Sequence, residues 1–244
     1  MQITEADWRH GSYLIEYSTG VMREKIHRMT STLADLLSVK VVSHRAGRWA
    51  FDERYAEALI DEGYEIDCSI TPLVSWRHHT GARTGSGGPD YTTFPSQPYW
   101  IDPTDIGRPG MSSLLEVPVT IVPGRHRMVE AAIESMSSRL GQRSLTVRAL
   151  RRIYPPSRWL RPSGDNGRDL RRIVTQIADG ECLHAEFMLH SSELMPGGSP
   201  RFPTAAHVES LYADIERLFA MVRRLCRPAT LREFHDWVVA ERAI

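Results

Sequence analysis

Cysteine is scarce. The three in 244 residues, Cys68, Cys182 and Cys226, have no close neighbours of their own kind. That spacing excludes a disulfide framework and a zinc knuckle. Net charge is also absent, with 30 basic against 30 acidic residues. A balanced chain has no long-range attraction for nucleic acid or for an anionic membrane surface. Arginine clusters such as Arg148, Arg151 and Arg152, or Arg171 and Arg172, read as solvated helix faces. No apolar run is long enough to span a bilayer. The opening MQITEADWRHG lacks the basic-then-apolar pattern of a signal peptide. A reducing, cytoplasmic location follows as the expectation. No internal repeat or low-complexity tract breaks the chain.

What is present suits one soluble globular domain over residues 1–244, since 41% of the residues are hydrophobic. Residues 1–17 hold Trp8, Tyr13, Leu14, Ile15 and Tyr17, many apolar groups for a free tail, and are expected to lie against the body. Ser18 or Thr19 can cap a helix to about Ser38, with Val21, Met22, Ile26, Met29, Leu33, Leu36 and Leu37 inward. A compact strand–helix–strand unit follows. Residues 39–46 read as a strand, Phe51 to Gly63 as a helix, and Tyr64 to Ile70 as a second strand. Such a unit implies a parallel pair.

Residues 72–113 form a long connection rich in Gly, Pro, Ser and Thr. Its aromatics, Trp76, Tyr91, Phe94, Tyr99 and Trp100, predict order rather than a disordered linker. Leu114 to Val122 reads as a third strand, with Pro118 marking an edge or a bulge. Helices are expected over 127–140, 145–153 and 167–179. Cys182 to His190 is expected as a fourth strand. It has an apolar face (Leu183, Ala185, Phe187, Leu189) and a polar one (His184, Glu186, Met188, His190) that looks into a wet cavity. A long helix capped by Thr204 and a last one over 229–240 complete the chain. The expected fold is α/β, an incomplete or distorted (β/α) barrel with parallel strands, because four strands cannot close a barrel.

In parallel sheets chemistry gathers at the carboxyl ends of the strands. The polar groups expected there are Ser43, Arg45, Asp67, Ser69, Glu116, Thr120, His184, Glu186 and His190. An ion pair between Arg45 and Asp67 is the plain structural alternative. His190 ranks highest: Ser191, Ser192 and Glu193 follow it and can partner an acid or base. Its plain alternative is a satisfied loop histidine. His78 and His79 are adjacent, so they point apart in extended backbone and read as solvated. Trp49, Trp76 and Trp100 could stack on sugar rings, although packing is the commoner use of any one Trp.

Four stretches carry a family resemblance: RAGRW (45–49), GYEIDCSITP (63–72), SSLLEVPVT (112–120) and FMLHSSELMPGGSP (187–200). Together they resemble the polysaccharide deacetylases of the nodulation-protein type, and more closely the deacetylases of lipopolysaccharide O-antigen clusters. The resemblance covers roughly residues 20–240. It implies a hydrolase that removes an acetyl group from an N-acetylated sugar, with a saccharide or a nucleotide- or lipid-linked sugar as partner. It gives Arg45 the orienting of a catalytic carboxylate, His190 the general-acid role and Asp67 a place in the charge network. Arg48, Trp49, Trp76, Ser191, Ser192 and Glu193 are the expected substrate contacts. A zinc-like divalent cation is also implied. The family's Thr-x-Asp or Asp-Asp motif and its histidine pair do not occur before Arg45, as if the first third were missing, so no ligands can be assigned.

Two alternatives stand beside this reading. One is a non-catalytic carbohydrate-binding or interaction protein. The other is a hydrolase with a metal held by His184, Glu186, His190 and Glu193. An incomplete barrel leaves a strand edge unpaired. A homodimer, or residues 1–17 folded across the opening, is expected to cover it.

Overall fold

A computed structural model describes residues 13–79, 81, 87–124, 127–141, 144–154, 157–180 and 184–242. Seven α-helices and seven short strands occur among them. They divide into two compact units. The first comprises residues 1–119 with 228–244, and the second residues 120–227.

The first unit opens with Tyr13, which is buried, and a 3-10 turn over Leu14–Glu16. Arg54 donates to the carbonyls of Ile15 and Tyr17, so 13–17 lie against the body as expected. Residues 1–12 lie outside the described set. Helix α1 (Thr19–Leu37) starts after Ser18. It buries Met22 and Ile26, whereas Leu36 and Leu37, expected inward, are exposed. Strand β1 (Ser43–His44), helix α2 (Glu53–Asp61) and strand β2 (Ile66–Asp67) form the strand–helix–strand unit. Helix α2 is capped by Asp52, whose carboxylate accepts from Tyr55 N at 2.9 Å. Its buried Tyr55, Ala56, Ala58 and Leu59 make the inner face.

The sheet is five-stranded and open, in the order β1-β2-β5 (Leu115–Glu116), then β3 (Tyr99–Asp102) and β4 (Asp105–Pro109). Strand β5 (Leu115–Glu116) pairs parallel with β2, and β1 pairs parallel with β2. Strands β3 (Tyr99–Asp102) and β4 (Asp105–Pro109) form an antiparallel hairpin, and β3 pairs antiparallel with β5. An all-parallel sheet was expected, and this hairpin is the correction. It lies inside the stretch expected as a plain connection. Buried Tyr99 and Ile101 alternate with half-buried Trp100 and Asp102, and Pro103-Thr104 turns the chain. No closed barrel forms among the described residues. The C-terminal helix α7 (Leu231–Arg242) lays Leu231, Phe234 and Val238 on Ile66, Cys68, Leu115 and Val117.

The apolar run 114–122 does not form one strand. Proline has no N–H to give a ladder, and the run splits into β5 before Pro118 and β6 (Ile121–Val122) after it. In the second unit β6 pairs antiparallel with β7 (Arg158–Trp159). Helices α3 (Arg127–Leu140), α4 (Leu145–Ile153), α5 (Gly167–Ala178) and α6 (Ala205–Val222) match the expected ranges within two or three residues. Leu170, Ile173, Val174 and Ile177 repeat at helical spacing on α5 and pack with Leu160 and Leu218. Phe202, Val208 and Leu211 form a second cluster.

The fourth strand does not form among the described residues. Residues 184–190 carry no regular secondary structure. Their recorded link to β6 is at Thr120, whose N–H donates to Glu186 O while its hydroxyl accepts from Glu186 N. The alternation of residue types was real, but a strand also needs a neighbour in register.

Candidate functional site

The carboxyl ends of β1, β2 and β5 carry the polar groups of the first unit. Asp67 and Glu116 end their strands fully buried. Asp67 is saturated. One oxygen receives His44 Nδ1 at 2.6 Å and Ser69 Oγ at 2.9 Å, and the other receives Ser69 N at 2.9 Å. Glu116 accepts from Ile70 N at 2.9 Å. A buried carboxylate is stable only with such partners.

His44 was not among the expected site residues. It stands opposite Asp67 in the β1–β2 register, so the two side chains share a face. The expected grouping put Ser43 and Arg45 on that face, one residue out of step, and a one-residue slip flips every side chain. His44 is 15% exposed. With Nδ1 donating to Asp67, its Nε2 accepts from the Tyr55 hydroxyl at 2.9 Å. Burial first, and then the Asp67 charge, push the Tyr55 hydroxyl well above its ordinary pKa, so it keeps its proton. The Asp67–His44–Tyr55 chain thus joins β2, β1 and α2, and its donors and acceptors are used internally.

Arg45 leaves this network. Its guanidinium lies over the Trp49 ring, 4.9 Å from the centroid, and donates to Ala46 O at 3.1 Å. Arg48 lies over Tyr13 at 5.2 Å. Both arginines are exposed, and neither has a carboxylate partner among the described residues. They stand on a strained loop, with Arg48 at φ 55° and Trp49 at φ 62°. Left-handed backbone at a non-glycine costs about 1–2 kcal/mol, and such strain gathers at functional sites. What holds it is visible. The Tyr91 hydroxyl donates to Trp49 O at 2.6 Å, and Ala46 N donates to Ser69 Oγ at 2.8 Å. Tyr91 is buried, and that burial, reinforced by Glu116, raises its pKa far above the ordinary value.

Trp76 is half-buried at the edge of the same cluster. Its Nε1 donates to Thr71 Oγ1 at 2.9 Å, and its ring meets His79 edge-on at 5.3 Å. Tyr13 closes the group by donating to His79 O at 2.7 Å. His78 and His79 are exposed, as expected. Trp100 differs: it packs against His235 and Arg242 of α7 rather than standing clear for a ring to stack on it.

No family model, curated protein or solved structure matches the chain.

The remaining expected residues lie in the second unit. His190 is exposed and precedes a 3-10 turn over Ser191–Leu194. Glu193 is buried. It accepts from His190 N at 3.1 Å and pairs with Arg161 at 2.6 Å. Its place is thus a structural one at the turn, while Ser191 and Ser192 are exposed. His184 is buried and Glu186 half-buried.

The divalent cation implied by the resemblance finds no fitting donors here. Among the described residues no group of three or more His, Cys, Asp or Glu could hold a metal ion. His184, Glu186, His190 and Glu193 do not form such a group either.

Proposed function

We propose that the chain is a polysaccharide deacetylase-like hydrolase that removes an acetyl group from an N-acetylated sugar during surface polysaccharide (O-antigen) synthesis. The observation that carries this reading is the strained 45–49 loop. It presents two guanidiniums, without a carboxylate partner among the described residues, above an aromatic bed at the carboxyl ends of parallel strands. Guanidiniums suit the charged and hydroxylated groups of a saccharide, and Trp76 offers an edge against which a ring can pack. The parallel β1-β2-β5 set with its crossover helix supports reading the fold as part of a (β/α) barrel. In the reaction, water adds to the acetamide carbonyl and the C–N bond breaks. Acetate leaves, and the amine takes a proton. The resemblance gives that proton delivery to His190, and the holding of charge to Arg45 and Arg48. Asp67 acts at one remove, by fixing His44 and Ser69 beneath the loop.

A second reading is a carbohydrate-binding protein without hydrolysis. The commitment of His44 favours it, since Nδ1 is engaged by Asp67 and Nε2 by the Tyr55 hydroxyl. One experiment separates the two. Acetate release from N-acetylated oligosaccharides is measured with and without added zinc, beside intrinsic fluorescence titration. Release that falls at least about a hundredfold in Arg45→Ala and in His190→Ala supports the hydrolase. A fluorescence response without release, abolished by Arg48→Ala, supports the binding protein. Neither response defeats both.

A further inference from the structure

Charge that balances over the whole chain is segregated within it. Residues 135–164 hold seven arginines and no aspartate or glutamate. Helix α4 (Leu145–Ile153) lies in the middle of that stretch, after α3 ends at Leu140 and Gly141 turns the chain at φ 84°. One side of α4 is committed to its own unit. Val147 is buried and Leu150 half-buried, and Arg151 donates to the buried Ser137 Oγ of α3 at 3.4 Å. On the other side, positions three and four apart share a face. Leu145, Ala149 and Ile153 form a stripe there, with Arg148 and Arg152 beside it, and all five are exposed.

Leu145 is 79% exposed and Ile153 65%, and Leu140, which ends α3 just before the turn, is 57% exposed. One exposed leucine needs no explanation, but large aliphatic groups set among arginines on one short helix do. Arg139, Arg148 and Arg152 are exposed and have no ion-pair partner among the described residues. Arg158, by contrast, is held by Asp169 at 2.7 Å, and Arg161 by Glu193 at 2.6 Å. The arginines beyond α4 are paired, and those beside the apolar stripe are not.

A partner for this face must supply negative charge together with an apolar phase. Nucleic acid supplies phosphates, but its backbone offers nothing that takes up Leu145 and Ile153. A protein surface can supply both. The stripe, however, is only about 12 Å long on a helix about 10 Å wide. That is well short of the roughly 800 Å² that a specific protein interface takes from each partner. An anionic bilayer supplies both within a shallow depth, with phosphates at the headgroups and acyl chains just beneath. Arginine suits that boundary, because its stem lies along apolar surface while the guanidinium reaches a phosphate.

We propose that α4, with Arg139 and Leu140 at the end of α3, is a docking surface for an anionic lipid bilayer. The helix lies in the plane of the interface. Leu145 and Ile153 enter the acyl boundary, Arg148 and Arg152 contact headgroup phosphates, and Arg139 adds charge beside them. The attachment is peripheral and salt-dependent. It is independent of the saccharide reading and stands or falls without it.

The test is flotation of the full chain with vesicles of phosphatidylcholine alone and of phosphatidylcholine with about 30% phosphatidylglycerol. In about 50 mM salt the anionic vesicles are expected to hold half the protein below about 1 mM lipid, at least about twentyfold better than the neutral ones. Raising the salt to about 500 mM is expected to remove most of that preference. Arg148→Gln and Arg152→Gln are each expected to weaken binding about fivefold. Leu145→Ser combined with Ile153→Ser is expected to weaken it at least about tenfold. All four positions are exposed, so Tm is expected to stay unchanged. Arg172→Gln, at an exposed position on α5, is expected to leave binding as it was. Should the double serine variant not fold, the arginine variants and the two vesicle types decide. No flotation with either vesicle at about 50 mM salt, equal binding to both, or a loss in Arg172→Gln equal to that in Arg148→Gln would each overturn the proposal. Unaltered binding by the double serine variant would overturn it too, and displacement of that variant from the vesicles by a short DNA duplex would assign the arginines to nucleic acid.

Discussion

At residue scale, two positions separate strain from support. Arg48 occupies left-handed backbone at φ 55°, which glycine adopts without steric cost. Arg48→Gly is therefore expected to keep or raise Tm, while saccharide affinity falls with the lost guanidinium. A thermal melt beside a fluorescence titration checks both halves. A large drop in Tm would mean that the side chain, through its contact with Tyr13, stabilises more than the backbone conformation costs. Asp67 is the opposite case. Asp67→Ala leaves His44, Ser69 and their backbone neighbours without their shared acceptor. The expected loss is about 3–5 kcal/mol, read from urea unfolding. A loss under about 1 kcal/mol would show that the network is incidental to the fold.

At the scale of elements, helix α7 is bound to the sheet by contacts of two kinds. Leu231, Phe234 and Val238 cover the β2–β5 surface, and Arg232 pairs with Glu65 beside β2. Lys40 reaches the other Glu65 oxygen at 2.6 Å. Arg232 first, then Lys40, hold the Glu65 carboxyl down to about 2, from an ordinary 4.5. A folded-state value below the unfolded one means that the unfolded chain takes up the proton first. The stabilisation is complete above about pH 4.5 and is lost as the pH falls toward 2. Glu65→Gln removes that contribution. Its Tm profile is expected to be flatter than the wild type across that window, with a loss at neutral pH of no more than about 1 kcal/mol for so exposed a pair. Parallel profiles would assign the acid limb to other carboxylates. Helix α5 offers the apolar counterpart. Ile173 is fully buried among Leu160, Leu170 and Leu218. Ile173→Ala is expected to cost about 2–5 kcal/mol, measured by denaturant titration.

At the scale of the whole molecule, the first unit is discontinuous in sequence, whereas the second is one stretch, 120–227. Two clusters described in the second unit, around Ile173 and around Phe202, are built from residues of that unit. A fragment of residues 120–227 is expected to keep its helical circular dichroism and a cooperative melt. Residues 1–119 alone lack α7 and are expected to lose cooperative unfolding until residues 228–242 are restored. A fragment 1–119 that melts cooperatively would show that α7 is dispensable. Assembly belongs at this scale as well. We propose that a second copy covers the open β1 edge, so light scattering at micromolar concentration is expected to report a dimer. A monomer would leave that edge to the chain itself.

Much of the element order was legible in the sequence because helix signals are local. The spacing of Leu170, Ile173, Val174 and Ile177 acts within a few residues of itself. The carboxyl-end location of Asp67 and the Arg45-to-Trp49 turn followed from the strand–helix–strand pattern. Three things did not follow, for one physical reason: each depends on a partner distant in sequence. The β3–β4 hairpin reverses the sheet's direction because β5 accepts Tyr99 and Trp100 as neighbours. Residues 184–190 alternate like a strand but form no ladder among the described residues. His44 faces Asp67 only because the register with β2 puts it there. Local propensity set where helices begin and end. Register and packing across dozens of residues decided which polar groups meet, and therefore what chemistry the surface can support.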